Sequence, residues 1–220
     1  MKNSTKFIQF AVERGVLQFG EFTLKSGRVS PYFFNAGLFN DGQALDQLSR
    51  YYAQAIVDAK LEFDMLFGPA YKGIPLVAAV AMTLSRDHDK NYPYAFNRKE
   101  VKKYGDGGQI VGAALTGKVL IIDDVITAGT AINEAAEIIA HTQGQMAGVV
   151  IAFDRQERGQ QSENTVSLSA VEQVERDLNA KVISVASASE LIAYAESNNM
   201  YTEHLSKLKN YLEKYQSNTL

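Results

Sequence analysis

The chain has 220 residues, enough for one domain with an appended subdomain and for a sizeable core without covalent staples. A net charge of -3 with only one short basic run argues against a nucleic-acid binder, and the absence of cysteine excludes disulfides and cysteine-held metals. With no secretory leader and no run of about eighteen apolar residues, the expectation is a cytoplasmic protein with neither membrane nor nucleic acid as a partner.

Phe7, Ile8, Phe10 and Ala11 recur at helical spacing between Thr5 and Arg14, and Gly15 ends the pattern. From Leu17 to Leu24 apolar residues alternate around a bend at Gly20. Ser26-Gly27 then marks a turn before Val29 and the aromatic run Tyr32-Phe33-Phe34. This predicts a small hairpin-like N-terminal subdomain over about residues 1–40 of a single-domain chain. Asp41 can cap the next helix, whose apolar stripe is Leu45, Leu48, Tyr52, Ile56 and Ala59. A short strand, Met65 to Phe67, runs into Gly68-Pro69-Ala70-Tyr71-Lys72-Gly73, and Ile74 to Ser85 reads as a buried helix.

Tyr92 to Asn97 is a candidate strand, and the charged, glycine-rich stretch from Arg98 to Gly108 reads as a mobile loop. Val119 to Ile122 has the unbroken apolar character of a strand covered on both faces. Asn133 to Gln143 is helical, Ala147 to Phe153 a buried strand, and Gln156 to Asn164 a polar loop. A helix over 168–178, a strand over 182–185 and a helix over 189–196 follow. The last helix carries Leu205, Leu208, Leu212 and Tyr215 on one face. Alternating strands and helices define an α/β chain with a mainly parallel central sheet flanked by helices, and ligands in such folds bind beyond the carboxyl ends of the strands.

The segment Val119-Leu120-Ile121-Ile122-Asp123-Asp124-Val125-Ile126-Thr127-Ala128-Gly129-Thr130-Ala131 carries the chemistry. An apolar strand delivers two adjacent carboxylates to its carboxyl end, and a small hydroxyl-bearing turn leads into a helix. Backbone N–H groups and the helix N-terminus make an anion cradle suited to phosphate, and the carboxylates beside it can accept hydrogen bonds from vicinal hydroxyls. A phosphate held next to a diol describes a ribose 5-phosphate.

This segment resembles the ribose-phosphate signature of the type I phosphoribosyltransferases, whose fold is a parallel sheet flanked by helices with a hood subdomain. The resemblance implies that Asp123 and Asp124 hold the ribose hydroxyls of 5-phosphoribosyl 1-diphosphate. It places Val125 and Ile126 beside them and Thr127, Ala128, Gly129, Thr130 and Ala131 on the 5-phosphate, with Thr127 also reaching the base.

Four further segments are similar to the orotate-using branch of that family. Phe22 to Asn35 resembles its base site, with Lys25 on diphosphate or base and Phe33 and Phe34 lining the orotate pocket. Gly68 to Gly73 follows a strand and can offer backbone N–H groups, with Tyr71 and Lys72, to the diphosphate; the same residues also suit a plain connecting turn. Asn97 to Gly108 resembles the catalytic loop that closes over the neighbouring subunit's site in a homodimer, supplying Arg98, Lys99 and Lys102. Tyr104 stands where these enzymes often carry His, and a phenol with a pKa near ~10 brings no cation at neutral pH. Arg155, closing the strand 147–153, matches the arginine that meets orotate.

The resemblance implies an Mg²⁺-dependent glycosyltransferase that joins orotate to the phosphoribosyl group, giving orotidine 5′-phosphate in pyrimidine (UMP) biosynthesis. Asp123, Asp124, Lys99 and Lys102 are the expected catalytic groups. The metal is expected mainly on the substrate diphosphate, with Asp123 and Asp124 the protein groups that could touch it. A purine or uracil phosphoribosyltransferase, and a non-catalytic sensor of phosphoribosyl diphosphate, are the alternatives.

Overall fold

The computed structural model describes residues 1–24, 26–102, 108–159, 168–198 and 202–217. Helix α1 (Asn3–Glu13) leads into an antiparallel hairpin of β1 (Leu17–Thr23) and β2 (Val29–Phe34), a two-stranded sheet of its own. Its register slips between Phe19 and Phe22, which is the bend read at Gly20. Asp41 caps α2 (Gly42–Ala59), its carboxylate accepting from Ala44 N–H at 2.8 Å.

The central sheet begins with β3 (Met65–Gly68). It continues through α3 (Gly73–His88), β4 (Tyr94–Lys102), β5 (Gly108–Gly112), β6 (Thr116–Ile122), α4 (Thr130–Ala140) and β7 (Gln143–Asp154). Helix α5 (Ala170–Leu178), β8 (Lys181–Ser187), α6 (Ala188–Ser197) and α7 (Thr202–Tyr215) complete the chain. The strand order is β5-β4-β3-β6-β7-β8, parallel throughout except for the antiparallel edge strand β5. Among the described residues no helix is long and apolar enough to cross a membrane.

Both faces of the sheet are covered, and the period-two alternation of strand side chains decides what packs where. Leu120, Ile122, Val150 and Ala152 join the core beneath α1, α2, α3, α6 and α7, whereas Val119, Ile121, Val149 and Ile151 pack against Ile132, Ala135 and Ile139 of α4 and Val174 of α5. Each fully buried aliphatic side chain of this kind stabilises the fold by roughly 1.5–3 kcal/mol. The hairpin belongs to the first of these cores through Tyr32, which meets Phe153 edge-on at 5.9 Å and Tyr211 of α7 at 6.3 Å.

The stretch read as a loop from Arg98 onward is partly strand. The backbone of Arg98 to Lys102 continues β4; its ladder with β5 runs from Ala95↔Gly112 to Asn97↔Ile110, slips, and resumes at Lys102↔Gly108. Ladder hydrogen bonds use main-chain groups, so charged side chains are no obstacle at a sheet edge, where they also discourage pairing with another chain. Residues 103–107, with Tyr104, lie outside the described residues.

Candidate active site

The carboxyl ends of β3, β6 and β7 converge, and most of the residues expected to carry chemistry lie there. Asp123 and Asp124 leave β6 with 6% of their surface exposed. Their backbone continues the ladder: Asp123 N–H donates to the Val150 carbonyl at 3.0 Å, and Ala152 N–H donates to the Asp124 carbonyl at 2.8 Å. The buried hydroxyl of Tyr52 reaches across from α2 to donate to the Asp123 carbonyl at 2.8 Å. A hydrogen bond of this type stabilises by about 1 kcal/mol, and here it also fixes where the carboxylates begin.

Burial pushes the Asp123 carboxyl up from 3.8 to about 7, and the negative charge of Asp124 adds to the effect. The hydrogen bond from Asp124 N–H (2.9 Å) and the charge of Lys72 act in the opposite direction. Asp124 is ion-paired with Lys72, whose side chain is 61% exposed, so the pair is partly screened.

Past the carboxylates, Thr127, Ala128 and Thr130 are exposed, while Gly129 is buried and sits at φ 74°. A Cβ there would lie 3.2 Å from Val174 Cγ2 and would occupy a backbone region that L side chains rarely adopt. Gly129 is also the N-cap of α4, so no side chain caps the helix. The first-turn N–H groups and the helix dipole are thereby left facing outward for an anion, an arrangement worth about 0.3–1 kcal/mol when exposed and more when shielded.

The turn after β3 packs tightly against this loop. A Cβ on Gly68 would meet the Gly73 carbonyl oxygen at 2.2 Å, and one on Gly73 would stand 2.9 Å from the Ile122 carbonyl oxygen, so glycine is required at both positions for backbone to touch backbone. Asn97, buried on β4, accepts from Ala70 N–H at 2.8 Å, and the Ala70–Tyr71 peptide is cis. Tyr71 is exposed, and Lys72 turns toward β6.

Phe33 and Phe34 are neighbours on a strand and therefore face opposite ways. Phe34 stacks on Phe153 at 5.3 Å against the core, whereas Phe33 is partly exposed and stacks on Phe22 at 5.5 Å. Arg155 follows β7, donating to Ser30 Oγ at 3.2 Å and Glu157 Oε1 at 2.5 Å, with its guanidinium 4.4 Å above the Tyr32 ring. Burial works against its charge, but the Tyr32 and Glu157 oxygens outweigh it and hold the pKa above the usual arginine value.

Lys99 pairs with Glu134 of α4 at 3.1 Å, and Arg98 donates to the Gly108 carbonyl at 3.1 Å. Lys25 and the side chain of Lys102 lie outside the described residues. Sequence reasoning missed Tyr52, Asn97, Glu134 and Glu157. Tyr52 sits within an apolar stripe and Glu157 within a polar stretch, so neither announces its role, whereas Asn97 is a polar residue ending an apolar strand and offered a usable signal.

The chain belongs to the phosphoribosyltransferase family. The family model for the phosphoribosyl transferase domain matches residues 37–189, more than half of the chain. The orotate phosphoribosyltransferase of Shigella sonnei is 55% identical over 210 residues, covering 96% of each chain. The crystal structure of orotate phosphoribosyltransferase from Francisella tularensis is 46% identical, covers 96% of this chain and 100% of that one, and superposes with a TM-score of 0.87. Within its family, this chain belongs with the orotate phosphoribosyltransferases. The fold is also shared by the Mycobacterium tuberculosis orotate phosphoribosyltransferase in complex with 5-phospho-α-D-ribosyl 1-diphosphate, at 19% identity and a TM-score of 0.61, over 86% of this chain and 98% of that one.

Because the folded pKa of Asp123 is raised from 3.8 to about 7, the folded state holds this proton more tightly than the unfolded chain. The corresponding stability is fully present below about pH 4 and is lost as pH rises through about 7. Asp123→Asn removes the buried charge. The variant should melt above the wild type at pH 8, with the difference shrinking toward pH 4. A constant difference in melting temperature across that range would contradict the assignment.

Proposed function

We propose that this chain transfers the phosphoribosyl group of 5-phosphoribosyl 1-diphosphate to N1 of orotate, giving orotidine 5′-phosphate and diphosphate in UMP biosynthesis. The observation that carries the reading is the placement of Asp123 and Asp124 against the uncapped start of α4. The zero cysteines suit a reducing, cytoplasmic setting for such an enzyme.

The 5-phosphate takes the N–H groups of Thr127 to Ala131, where the helix dipole favours negative charge. The vicinal ribose hydroxyls donate to Asp123 and Asp124. Orienting the sugar by both ends fixes its anomeric carbon in the plane of attack. A hydroxyl on Asp124 replaces Lys72 there, and the freed ammonium turns to the diphosphate. Orotate N1 bonds to C1 as the C1–oxygen bond to diphosphate breaks; the electron pair leaves with the diphosphate, which takes up the proton that N1 gives away. The sugar carries oxocarbenium character between the two events, as in glycoside hydrolysis. Lys72, with Arg98, Lys99 and Lys102 from the partner's arm, stabilises the departing charge. Arg155 faces the orotate carboxylate, and the β1–β2 hairpin with Phe33 and Lys25 serves as the hood over the base.

Among the described residues no group of three or more His, Asp or Glu side chains gathers as a metal site. Two carboxylates already engaged with hydroxyls fit Mg²⁺ held mainly by diphosphate oxygens and water, and when bound it neutralises charge on the leaving group.

A homodimer is part of the proposal. Pro75, Ala78 and Met82 follow one stripe on the outer face of α3, Met82 being 55% exposed; Tyr71 just before the helix is 72% exposed, and Tyr94 at the start of β4 is exposed too. An apolar stripe of this length beside the diphosphate turn suits a second copy, which would bring its 98–108 arm to this site. Met82→Glu should shift the protein from dimer to monomer in sedimentation velocity and lower its turnover. An unchanged dimer would place the interface elsewhere.

The reaction itself is tested by following orotate absorbance with phosphoribosyl diphosphate and Mg²⁺, with uracil, hypoxanthine and adenine in parallel. Consumption of orotate alone is expected. Use of another base would overturn the base assignment, and binding without turnover would favour a sensor.

A further inference from the structure

Three charged side chains form the wall behind the base site, and the mechanism above uses only Arg155. Glu157 stands between Arg155 and Arg28, its side chain 11% exposed against 16% and 15% for the two arginines. Its Oε1 accepts from Arg155 Nη2 at 2.5 Å and from the Tyr32 hydroxyl at 3.4 Å, and its Oε2 lies 3.8 Å from Arg28 Nη1. Asp154, the other acid on this segment, is committed to Gln156 N–H at 2.8 Å.

The segment carrying Glu157 is held from two sides. Arg158 N–H donates to the Tyr215 carbonyl at 2.8 Å, and Ser217 N–H to the Gln156 carbonyl at 3.3 Å, which ties it to the end of α7. From the hairpin side, Arg28 donates to the carbonyls of Arg158 at 2.8 Å and Gly159 at 3.3 Å while lying 4.8 Å above the Tyr215 ring. The carboxylate therefore sits on a braced frame rather than a free loop.

We propose that Glu157 is a positioning residue for base recognition: it fixes the Arg155 guanidinium in the plane and rotation that meet the base carboxylate. This rests on the reading that Arg155 faces orotate. The hydrogen bonds of Arg155 to Ser30 and Glu157 both leave from Nη2. With its face on Tyr32 and Nη2 held by Glu157 and Ser30, the guanidinium has little freedom to rotate, and a pre-oriented fork loses little entropy on meeting a planar anion. Glu157 also separates two guanidinium groups. Without its charge the two guanidinium groups repel across a poorly solvated wall, which displaces Arg155 from the orientation that Glu157 holds.

Glu157→Gln keeps the shape and removes the charge. Initial-rate kinetics should show KM for orotate rising about tenfold, as a charge-assisted hydrogen bond becomes a neutral one, with kcat and KM for phosphoribosyl diphosphate changing little. Arg155→Lys alone and in combination completes a cycle. If Glu157 acts through Arg155, the double variant is no worse than Arg155→Lys alone. Multiplying effects, or equal rises in both KM values, would overturn the proposal by giving Glu157 a merely structural role. Should Gln at 157 prevent folding, Glu157→Asp carries the same test, since it keeps the charge one methylene short. Wild-type enzyme run alongside separates the two levels: if it leaves orotate unconsumed, the functional reading fails first, whereas normal wild-type turnover with an unselective variant sinks only this inference.

Discussion

Burying two adjacent carboxylates at the end of an apolar strand is costly, and much of the architecture around β6 is what makes it tolerable. The charge of Asp124 adds to the burial that pushes the Asp123 carboxyl up, and both residues are shielded from water. The compensation comes from several directions. The Asp124 N–H turns to Asp123, Lys72 turns to Asp124, and Tyr52 and β7 hold the backbone from which both side chains project. A site built this way is paid for by folding and released by ligand, because hydroxyl donors from a sugar satisfy acceptors that the free protein satisfies only partly. The ion pair with Lys72 is the exposed, weakly stabilising member of the set and so the one that can exchange partners.

The second constraint is closeness of main chain to main chain. Gly68 and Gly73 bring the β3 turn against the end of β6 at distances that any Cβ would violate, and Gly129 lets the next turn enter α4 without a cap. Phosphate recognition by N–H groups needs the peptide planes themselves at the surface, and side chains at these points would stand in the way. The parallel sheet supplies the rest. With α4 and α5 on one face and the other helices opposite, β3, β6 and β7 are fixed in register, and their carboxyl ends present three turns to one volume.

The parts of this arrangement that were legible in the sequence are those where local chemistry changes abruptly. The run from Val119 to Ile122 breaks into Asp-Asp and then Thr-Ala-Gly-Thr, and a pattern of period, charge and turn residues occurring together leaves few alternatives. The β3–α3 turn read equally well as a connector, and only the packing of Gly73 on Ile122 shows why it must be tight. Strand β5 was not legible: Gly108 to Gly112 is short and weakly apolar, and its pairing with β4 depends on backbone groups that composition does not report. Phe33 and Phe34 were read as a pair, but strand geometry separates them, one toward the core and one outward. Tyr52 and Glu157 were invisible for a common reason. Tyr52 meets Asp123 several elements away, Glu157 is braced by Arg28 of the hairpin on the side opposite Arg155, and sequence spacing carries no trace of either distant contact.

The account stands on the β6–α4 turn as the ribose-phosphate site. The most direct measurement is a crystal structure of the protein with phosphoribosyl diphosphate and Mg²⁺. The account predicts the 5-phosphate on the N–H groups of Thr127 to Ala131, the vicinal hydroxyls on Asp123 and Asp124, and Lys72 turned from Asp124 toward the diphosphate. A phosphate bound elsewhere, with that turn empty and the Lys72–Asp124 pair intact, would contradict it.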